Sequence, residues 1–343
     1  MNSKLSIHPL LTLIIPCLNE EKYIGNCLDS ILQSDYPKEK LEIFIVDGGS
    51  TDRTLSLIES YSNKYSFIKV LINKKKTAPH ALNLGITNSS GEFIVRLDAH
   101  STYPANYLSE LCYWSLKLDA DNVGAVVHTK VLNRTNISSA IQFVLSDLFG
   151  VGNSKFRLGV SEIQSVDTVP FGFFNKRVFE NHGFFDTRLT RNQDIEFNKR
   201  IIRGGGRVYL VPTTYLDYYA REDFKSLALN SFRTGMWIIQ TSTLTKNLNS
   251  LSLRHFIPLL FVVTIMTMLI GGILLNKMIL LLCTGILAFY IVVMFCRGVL
   301  VSKSSSYIFI PMAFGVLHFS YGIGSIWGCV KSLAHNLNIK RLD

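Results

Sequence analysis

The chain has 343 residues, which is enough for a sizeable core and an added module. Its 35 Lys and Arg against 25 Asp and Glu give a net charge of +10, which suits nucleic acid, an anionic membrane surface or a phosphate-bearing substrate. No helix-turn-helix, zinc-finger or RNP-like pattern is present and the six cysteines form no Cys-x-x-Cys pair, so we expect no nucleic-acid partner, structural zinc or disulfide framework.

Apolar strands that alternate with amphipathic helices are predicted over the first two thirds of the chain. In chain order we predict a strand at 11–15, a helix at 21–33, a strand at 41–46, a helix capped by Ser50 or Thr51, a strand at 67–72, a helix at 79–86, a strand at 93–97, a helix at 104–118, a strand at 123–129, a helix at 137–149, a mobile loop at 150–159, helices at 176–181 and 194–203, and a strand at 207–211. This alternation is typical of an α/β fold with a mainly parallel sheet and right-handed crossovers. The N-terminal apolar run is too short to span a bilayer and lacks a small-residue cleavage site, so we expect no signal peptide and a cytosolic location for the region after it.

Three apolar runs without a charged residue come after residue 254, at 256–275, 278–296 and 307–330. Each is about 20 residues or more, which is long enough to span a bilayer as a helix, whereas buried helices of a soluble domain normally carry a polar face. The third run contains Pro311 and could be re-entrant, so its topology is open. The predicted organisation is a cytosolic domain at 1–225, an amphipathic interfacial segment at 226–254, two to three transmembrane helices at 255–331, and a tail at 332–343.

Asp98 and His100 come directly after the predicted strand at 93–97. Ligands bind outside the carboxyl ends of strands in open α/β sheets, and residues i and i+2 of an extended segment point the same way. A carboxylate and an imidazole at this position could therefore hold one divalent cation. The alternative is that Asp98 caps a turn and His100 is a polar loop residue.

Two further polar clusters, at 16–20 and 47–52, also come directly after predicted strands. The three clusters should therefore line one sheet edge and form a nucleotide-sized crevice. Asp47 can accept a hydrogen bond from a base, and Gly48 allows the backbone to approach a ligand closely. The alternative for this segment is a turn with a helix cap. Neither a P-loop pattern nor a G-x-G-x-x-G fingerprint is present.

The second half of the chain offers two more candidate site residues. Asp194 opens a predicted helix, where the helix dipole favours the ionised carboxylate, although many helices begin with a carboxylate that has no chemical role. Arg233 and Trp237 are spaced i, i+4 on one face of a helix beside the apolar runs. They could bind a diphosphate or serve as an interfacial anchor.

The order of these motifs resembles the family 2 glycosyltransferases over about residues 11–237. The segments that carry the resemblance are IIPCLNEE, IVDGGSTDRT, NLGI, RLDAH, GFFNKRVFENHGFFD and NQDIEFNKRI. The closer likeness is to the membrane-attached succinoglycan-type branch. In that branch DAH stands in place of Asp-x-Asp, and a segment similar to YYAR…FRTGMW precedes hydrophobic helices.

The resemblance implies a GT-A fold, that of the Rossmann-like nucleotide-diphospho-sugar transferases, and inversion at the anomeric carbon. It implies a nucleotide-sugar donor, expected to be a UDP-sugar, and Mg²⁺ or Mn²⁺ as the cation. The implied nucleoside contacts are Pro16, Asn19, Glu20 and Asp47. Asp98 and His100 would serve at the metal and diphosphate, and Asp194 would be the general base. Gln193 stands where the family has Glu, and His100 replaces the usual second Asp.

We therefore expect a membrane-attached inverting transferase that adds a sugar to a polyprenyl-diphosphate-linked saccharide, in surface polysaccharide synthesis at the cell inner membrane. Processive synthases carry Gln-x-x-Arg-Trp, whereas Arg233 and Trp237 are separated here, so long-chain synthesis is not expected. The nearest alternative is a transferase that makes a polyprenyl-phosphate sugar. A nucleotidyltransferase would want a Gly-rich loop after the first strand, and a non-catalytic membrane scaffold would not need carboxylates at both the metal and base positions.

Overall fold

The computed structural model of the chain describes residues 7–246, 253–301 and 305–339. The strands are β1 Leu11–Cys17, β2 Leu41–Asp47, β3 Ile68–Ile72, β4 Phe93–Arg96, β5 Ser101–Thr102, β6 Asn122–Lys130, β7 Gln164–Ser165, β8 Phe173–Asn175 and β9 Val208–Tyr219. The helices are α1 Ile24–Leu32, α2 Thr54–Lys64, α3 Ala78–Thr87, α4 Tyr107–Leu118, α5 Asn136–Val144, α6 Leu148–Val151, α7 Lys155–Leu158, α8 Arg177–His182, α9 Gln193–Arg203, α10 Phe224–Thr245, α11 Ile257–Leu274, α12 Lys277–Val301 and α13 Ile310–Ile339.

The chain folds into two compact units. The first contains the residues up to 128 together with 155–219, and the second contains 129–154 together with the residues from 220 onward. Residues 129–154 therefore group with the C-terminal helices, which the sequence did not indicate. The predicted domain boundary at residue 225 stays a prediction, and part of the predicted interfacial segment, residues 247–252, lies outside the described residues.

The first unit is built on a sheet with the order β3-β2-β1-β4-β8-β6-β9-β5, and β7 pairs with β9. β1 is parallel to β2 and β4, and β2 is parallel to β3. β8 is antiparallel to both β4 and β6, while β5 and β7 are antiparallel to β9. The predicted α/β fold is confirmed, and parallel pairing holds for the first four strands. Antiparallel neighbours need no helical crossover, so the sheet becomes mixed where the regular alternation of strand and helix ends.

The central strand β1 is covered on both faces, which explains its continuous apolar sequence. Leu13 and Ile15 pack in a core with Leu28 of α1, and Ile14 packs on the other face with Phe197 of α9. Cys17, Cys27 and Cys112 are buried free thiols, as predicted.

Three local expectations in the first two thirds of the chain are wrong. Helix α2 begins at Thr54, because the Asp52 carboxylate, and not Ser50 or Thr51, accepts a hydrogen bond from the Thr54 amide at 3.0 Å. The predicted helix at 137–149 is divided into α5 and α6, since Asp147 begins a new helix by accepting from the Phe149 amide. The predicted loop at 150–159 contains α7.

Among the described residues of the second unit, three helices, α11, α12 and α13, are long and apolar enough to cross a membrane. Pro311 lies in the first turn of α13 and the helix continues without a break, as expected for a residue that is tolerated at helix starts. Helix α10 packs along α13 through glycines. A Cβ added at Gly324 would overlap the carbonyl oxygen of Phe232, and one at Gly235 would overlap that of Tyr321.

Candidate functional site

The loops after β1 and β2 are joined by hydrogen bonds at the carboxyl edge of the sheet. The Thr51 amide donates to the Asn19 side-chain oxygen at 2.8 Å, and the Asn19 amide donates to the Ser50 hydroxyl at 2.9 Å. Asn19 has a φ of 57°, a left-handed conformation that Asn tolerates better than most residues. Pro16 lies on β1 opposite Val46, one residue before β2 ends. The structure thus brings together the two clusters that the sequence placed at one edge.

Asp47 organises the turn after β2. Its side chain is fully buried, and Oδ2 accepts from the amides of Gly49 at 2.7 Å and Ser50 at 2.9 Å. Oδ1 lies 2.5 Å from the Ser50 hydroxyl. Gly49 has a φ of 81°, which requires glycine in this turn, and Gly48 packs against Leu18. These contacts are those of the turn, which the sequence left as an alternative, and a contact between Asp47 and a base stays a prediction.

Asp98 and His100 meet, but not in the way that the sequence suggested. Strand β4 ends at Arg96, so both residues lie in a turn and not on an extended segment. The turn is closed by the His100 amide, which donates to Asp98 Oδ1 at 3.2 Å, and His100 Nδ1 lies 2.8 Å from the same oxygen. Tyr103 stabilises the turn, because its hydroxyl accepts a hydrogen bond from the Asp98 amide at 2.8 Å.

His100 and Asp98 form a charged pair. Burial lowers the pKa of His100, but Asp98, Tyr218 and Glu20 together raise it by more, and the net pKa is well above the ordinary imidazole value. Burial raises the pKa of Asp98, but His100 and Arg96 outweigh it and the net pKa is lowered. A second carboxylate is close by, since Glu20 Oε1 lies 3.4 Å from His100 Nδ1. The sequence assigned Glu20 to the nucleoside, and the structure places it against His100.

The donor atoms of this turn suit a hard divalent cation. Cis ligands of an octahedral Mg²⁺ lie about 3 Å apart, given metal–oxygen distances of about 2.1 Å. The 2.8 Å between His100 Nδ1 and Asp98 Oδ1 is close to that spacing, and a proton must leave the imidazole before it can bind metal. Among the described residues, no group of three His, Cys, Asp or Glu side chains is arranged to hold a metal ion. A cation here would need oxygens from a bound diphosphate or water.

Asp194 contacts Arg96, a residue that lies outside the predicted site. It is the second residue of α9, and its Oδ1 forms an ion pair with Nη1 of Arg96, the last residue of β4. Both side chains are largely buried, with 18% and 10% of their surface exposed. The signal for Arg96 was present in the sequence, because an arginine that ends an otherwise apolar buried strand needs an anionic partner.

A row of aromatic rings connects Arg96 with the Asp98 turn. The Arg96 guanidinium lies 5.2 Å from the centre of the Phe171 ring, and Phe171 stacks on Tyr218 at 6.1 Å. Tyr218 in turn lies 4.9 Å from the His100 ring, and Arg157 of α7 covers it at 5.5 Å. Phe171 has a φ of 52°, a strained conformation for an aromatic residue of the kind that concentrates at functional sites.

Arg233 is the remaining predicted site residue. It is exposed on α10, in the second unit, and Trp237 on the same helix is half-buried. The predicted helical spacing of Arg233 and Trp237 is confirmed. Binding of a diphosphate by Arg233 stays a prediction.

Comparison with known proteins gives a family match and named relatives. The sequence model described as Glycosyl transferase family 2 matches residues 12–183, which includes Asp98 and His100 and ends before Asp194. Dolichyl N-acetyl-alpha-D-glucosaminyl phosphate 3-beta-D-2,3-diacetamido-2,3-dideoxy-beta-D-glucuronosyltransferase of Methanococcus voltae is 33% identical over 232 residues, 66% of this chain and 71% of the relative. Succinoglycan biosynthesis protein ExoA of Rhizobium meliloti is 26% identical over 249 residues, 72% of this chain and 74% of the relative.

Two solved structures share the fold. The mannosyltransferase PcManGT from Pyrobaculum calidifontis, in complex with GDP-Man and Mn²⁺, aligns with a TM-score of 0.57 and 17% identity over 94% of this chain and 88% of its own. Residues 1–349 of TarS from S. aureus align with a TM-score of 0.51 and 19% identity over 92% of this chain and 90% of that one. Likeness at these identities concerns the fold alone.

Proposed function

Because the chain belongs to the family 2 glycosyltransferases and its first unit has a GT-A-like fold, we propose that it transfers one sugar, with inversion, from a nucleotide-diphosphate donor to a polyprenyl-diphosphate-linked saccharide. The observation that carries the proposal is the joint placement of the Asp98–His100 turn and the Arg96–Asp194 pair at the ends of β4 and α9. The Asp98–His100 turn suits a diphosphate with its cation. The Arg96–Asp194 pair supplies a carboxylate that can take the proton of an acceptor hydroxyl.

The donor contacts are assigned to the loops at the carboxyl edge of the sheet. Pro16, Asn19, Glu20, Asp47 and Gly48 would bind the nucleoside, and Arg233 would contact the diphosphate. Asp98 and His100 would hold Mg²⁺ or Mn²⁺, which supplies positive charge that stabilises the leaving diphosphate. We propose a UDP-sugar as donor. The mannosyltransferase with the similar fold was solved with GDP-Man, so a guanosine donor is the first alternative to include in an assay.

The proposed chemistry is a single displacement. The oxygen of the acceptor hydroxyl forms a bond to the anomeric carbon, and its proton moves to the Asp194 carboxylate. The bond between the anomeric carbon and the donor diphosphate breaks, and the nucleoside diphosphate leaves with the electron pair. The ion pair with Arg96 would fix the orientation of the Asp194 carboxylate.

The second unit supports a lipid-linked acceptor at a membrane. Three of its helices are long and apolar enough to cross a bilayer. Residues 129–154 and 220–343 contain 13 Lys and Arg against four Asp and Glu, so nearly all of the net charge of +10 belongs to this unit. Such an excess suits an anionic leaflet and a diphosphate head group. We propose a multi-pass protein of the cell inner membrane with the transferase unit in the cytoplasm and a role in surface or exopolysaccharide synthesis.

The alternative is a transferase that uses polyprenyl phosphate itself as acceptor. A phosphate is already ionised and needs little help from a base, so a carboxylate at Asp194 would have no clear task in that reaction. The 33% identical relative is named for transfer to a dolichyl-phosphate-linked sugar, which favours a saccharide acceptor. Nucleotidyl transfer and a non-catalytic scaffold gain no support from the family match.

The test is to incubate membranes that contain the full chain with labelled UDP- and GDP-sugars and either polyprenyl-diphosphate-linked sugar or polyprenyl phosphate. Transfer to the saccharide should depend on Asp98, and Asp29→Asn on the exposed face of α1 serves as the control. Transfer to polyprenyl phosphate alone would establish the alternative. The absence of transfer from every donor to either acceptor would contradict the proposal.

A further inference from the structure

We propose that Arg96 is a positioning residue for the reaction, which holds one oxygen of the Asp194 carboxylate so that the other faces the acceptor hydroxyl. This inference deepens the proposed function and rests on it. The family resemblance assigned no role to Arg96. The assignment comes from the ion pair between Arg96 Nη1 and Asp194 Oδ1.

The Arg96 guanidinium has few polar contacts besides Asp194. Its Nε and Nη1 are buried and make no hydrogen bond within the described parts of the chain, so the ion pair with Asp194 is the polar contact recorded for Nη1. The Arg96 side chain is 10% exposed, and a buried guanidinium without an anionic partner would be strongly unfavourable. Asp98 is the other carboxylate that acts on Arg96 electrostatically, but Asp98 is already paired with His100. Arg96 is therefore available to Asp194.

The guanidinium is held in a fixed plane. The Arg96 backbone pairs with Ile14 in the parallel sheet, and its amide donates to the Gly172 carbonyl at 3.0 Å. The Phe171 ring lies 5.2 Å from the guanidinium, and Phe171 is itself buried and stacked on Tyr218. A planar guanidinium can stack on a ring and pair with a carboxylate at the same time, which an ammonium group cannot reproduce.

The carboxylate is fixed from its own side as well. Helix α9 is fastened to the sheet by Asn198, whose amide donates to the Val169 carbonyl at 2.9 Å and whose oxygen accepts from Asn122 at 2.6 Å. Asn192 precedes the helix with a φ of 61°, and its side-chain nitrogen is buried without a hydrogen-bond partner among the described residues. A buried polar atom of this kind, two residues before Asp194 in the chain, marks a place that a bound ligand can satisfy.

The experiment is a double-mutant cycle on the full chain, with a donor and acceptor that the wild-type protein uses. Arg96→Gln, Arg96→Lys, Asp194→Asn and the Arg96→Gln/Asp194→Asn double variant are compared for kcat and for KM of donor and acceptor. Arg177→Gln is the matched control, because Arg177 pairs with Asp119 on the exposed surface. Arg96→Gln should lower kcat by roughly 10- to 100-fold, since a small misplacement of a catalytic group has an effect of that size. Donor KM should stay within about twofold, because only a transition-state interaction is lost.

Two further results separate positioning from a structural role. Arg96→Lys should recover part of the lost kcat, since a charge remains near the carboxylate. The double variant should be about as slow as Asp194→Asn, because the proposed effect of Arg96 on kcat passes through Asp194.

Any of four outcomes would overturn the inference: an Arg96→Gln enzyme within threefold of wild type or faster, a raised donor KM with unchanged kcat, fully multiplicative effects in the double variant, or a loss equal to that of Arg177→Gln. If Asp194→Asn alone transfers as fast as wild type, the base assignment fails and the inference fails with it. If only the Arg96 results fail, the proposed function stands.

Discussion

His100 Nδ1 lies 2.8 Å from Asp98 Oδ1 in a turn after β4, and Glu20 Oε1 approaches the same nitrogen at 3.4 Å. The strand ends at Arg96, so the contact is produced by the turn and by the Tyr103 hydroxyl that fixes the Asp98 amide. The protonated imidazole places one positive charge between two carboxylates. A divalent cation can supply that positive charge instead, once the imidazole has lost its proton.

Chelation should therefore abolish transfer, and either Mg²⁺ or Mn²⁺ should restore it. Asp98→Ala should lose nearly all activity. His100→Asp should keep some turnover with a changed preference between the two ions, because an imidazole ligand favours Mn²⁺ more than a carboxylate ligand does. The measurement is transfer in EDTA, followed by titration with each ion, and Asp29→Asn is the control. Full activity in EDTA would remove the metal from the proposed mechanism.

Helix packing in the second unit can be tested with two glycines that have different surroundings. Gly324→Ala should destabilise the protein, because the added Cβ would overlap the Phe232 carbonyl of α10. Gly285→Ala on α12 should be neutral or slightly stabilising, since a Cβ there meets no atom within 4 Å and alanine favours a helix by about 1 kcal/mol. Thermal unfolding of both variants in detergent measures the difference. Equal midpoints would mean that α10 and α13 do not pack as closely as described.

Glu42 should stabilise the first unit in a pH-dependent way. Its Oε2 accepts from the Thr12 hydroxyl at 2.8 Å and the Ser90 amide at 2.9 Å, and its Oε1 lies 3.2 Å from Lys69 Nζ. Burial raises the pKa of Glu42, but the hydrogen bonds from Ser90, Thr12 and Lys69 outweigh it, and the net pKa is lowered. The contribution to stability is therefore present above the unfolded pKa of about 4.3 and is lost as the pH falls through the folded value.

Glu42→Gln removes the negative charge. Its side-chain amide would also place a hydrogen-bond donor against Thr12, Ser90 and Lys69, which already donate to Glu42. At pH 7 it should cost about 1 to 3 kcal/mol, which corresponds to a lower melting midpoint by roughly 2 to 10 °C for a unit of this size. The difference from wild type should begin to shrink as the pH falls below about 4.3, and it should be lost as the pH falls through the lowered pKa of folded Glu42. Glu39→Gln, at an exposed position, is the control. A difference that is constant with pH would show that ionisation of Glu42 does not contribute.

The parallel half of the sheet and its three polar loops could be predicted because each strand in that half is a short and mostly apolar run. β1 and β2 lie next to each other, so the clusters at Asn19 and Asp47 meet as expected. The place of residues 129–154 could not be predicted. Their apolar residues, such as Ile141, pack in a core with Phe314 of α13, and such contacts between segments distant in sequence leave no periodic signal.

The pairing of Arg96 with Asp194 was out of reach for the same reason. The two residues are far apart in sequence, and β4 is followed in the sheet by the antiparallel strand β8, which three residues of sequence do not reveal. Phe171 illustrates a second limit. Its left-handed backbone conformation is imposed by the surrounding structure and not by the local sequence, so nothing in the segment PFGFF indicated that an aromatic ring would support the guanidinium.

Asp194→Asn should separate binding from chemistry. The amide has nearly the shape of the carboxylate and can still lie beside Arg96, so folding should change little. The nucleoside contacts are assigned to the loops after β1 and β2, and nucleotide affinity should therefore stay near the wild-type value. A sugar hydroxyl is a poor nucleophile until its proton leaves, and a base in reach contributes about 10² to 10⁴ in rate, so transfer should fall by roughly 10² or more.

Nucleotide titration and single-turnover transfer on the same purified variant measure the two effects. Asp167→Asn, at a partly exposed acidic position on the same unit, is the control. Transfer within a few-fold of wild type would show that Asp194 is not the base, and a collapse of nucleotide affinity would assign Asp194 to the donor site.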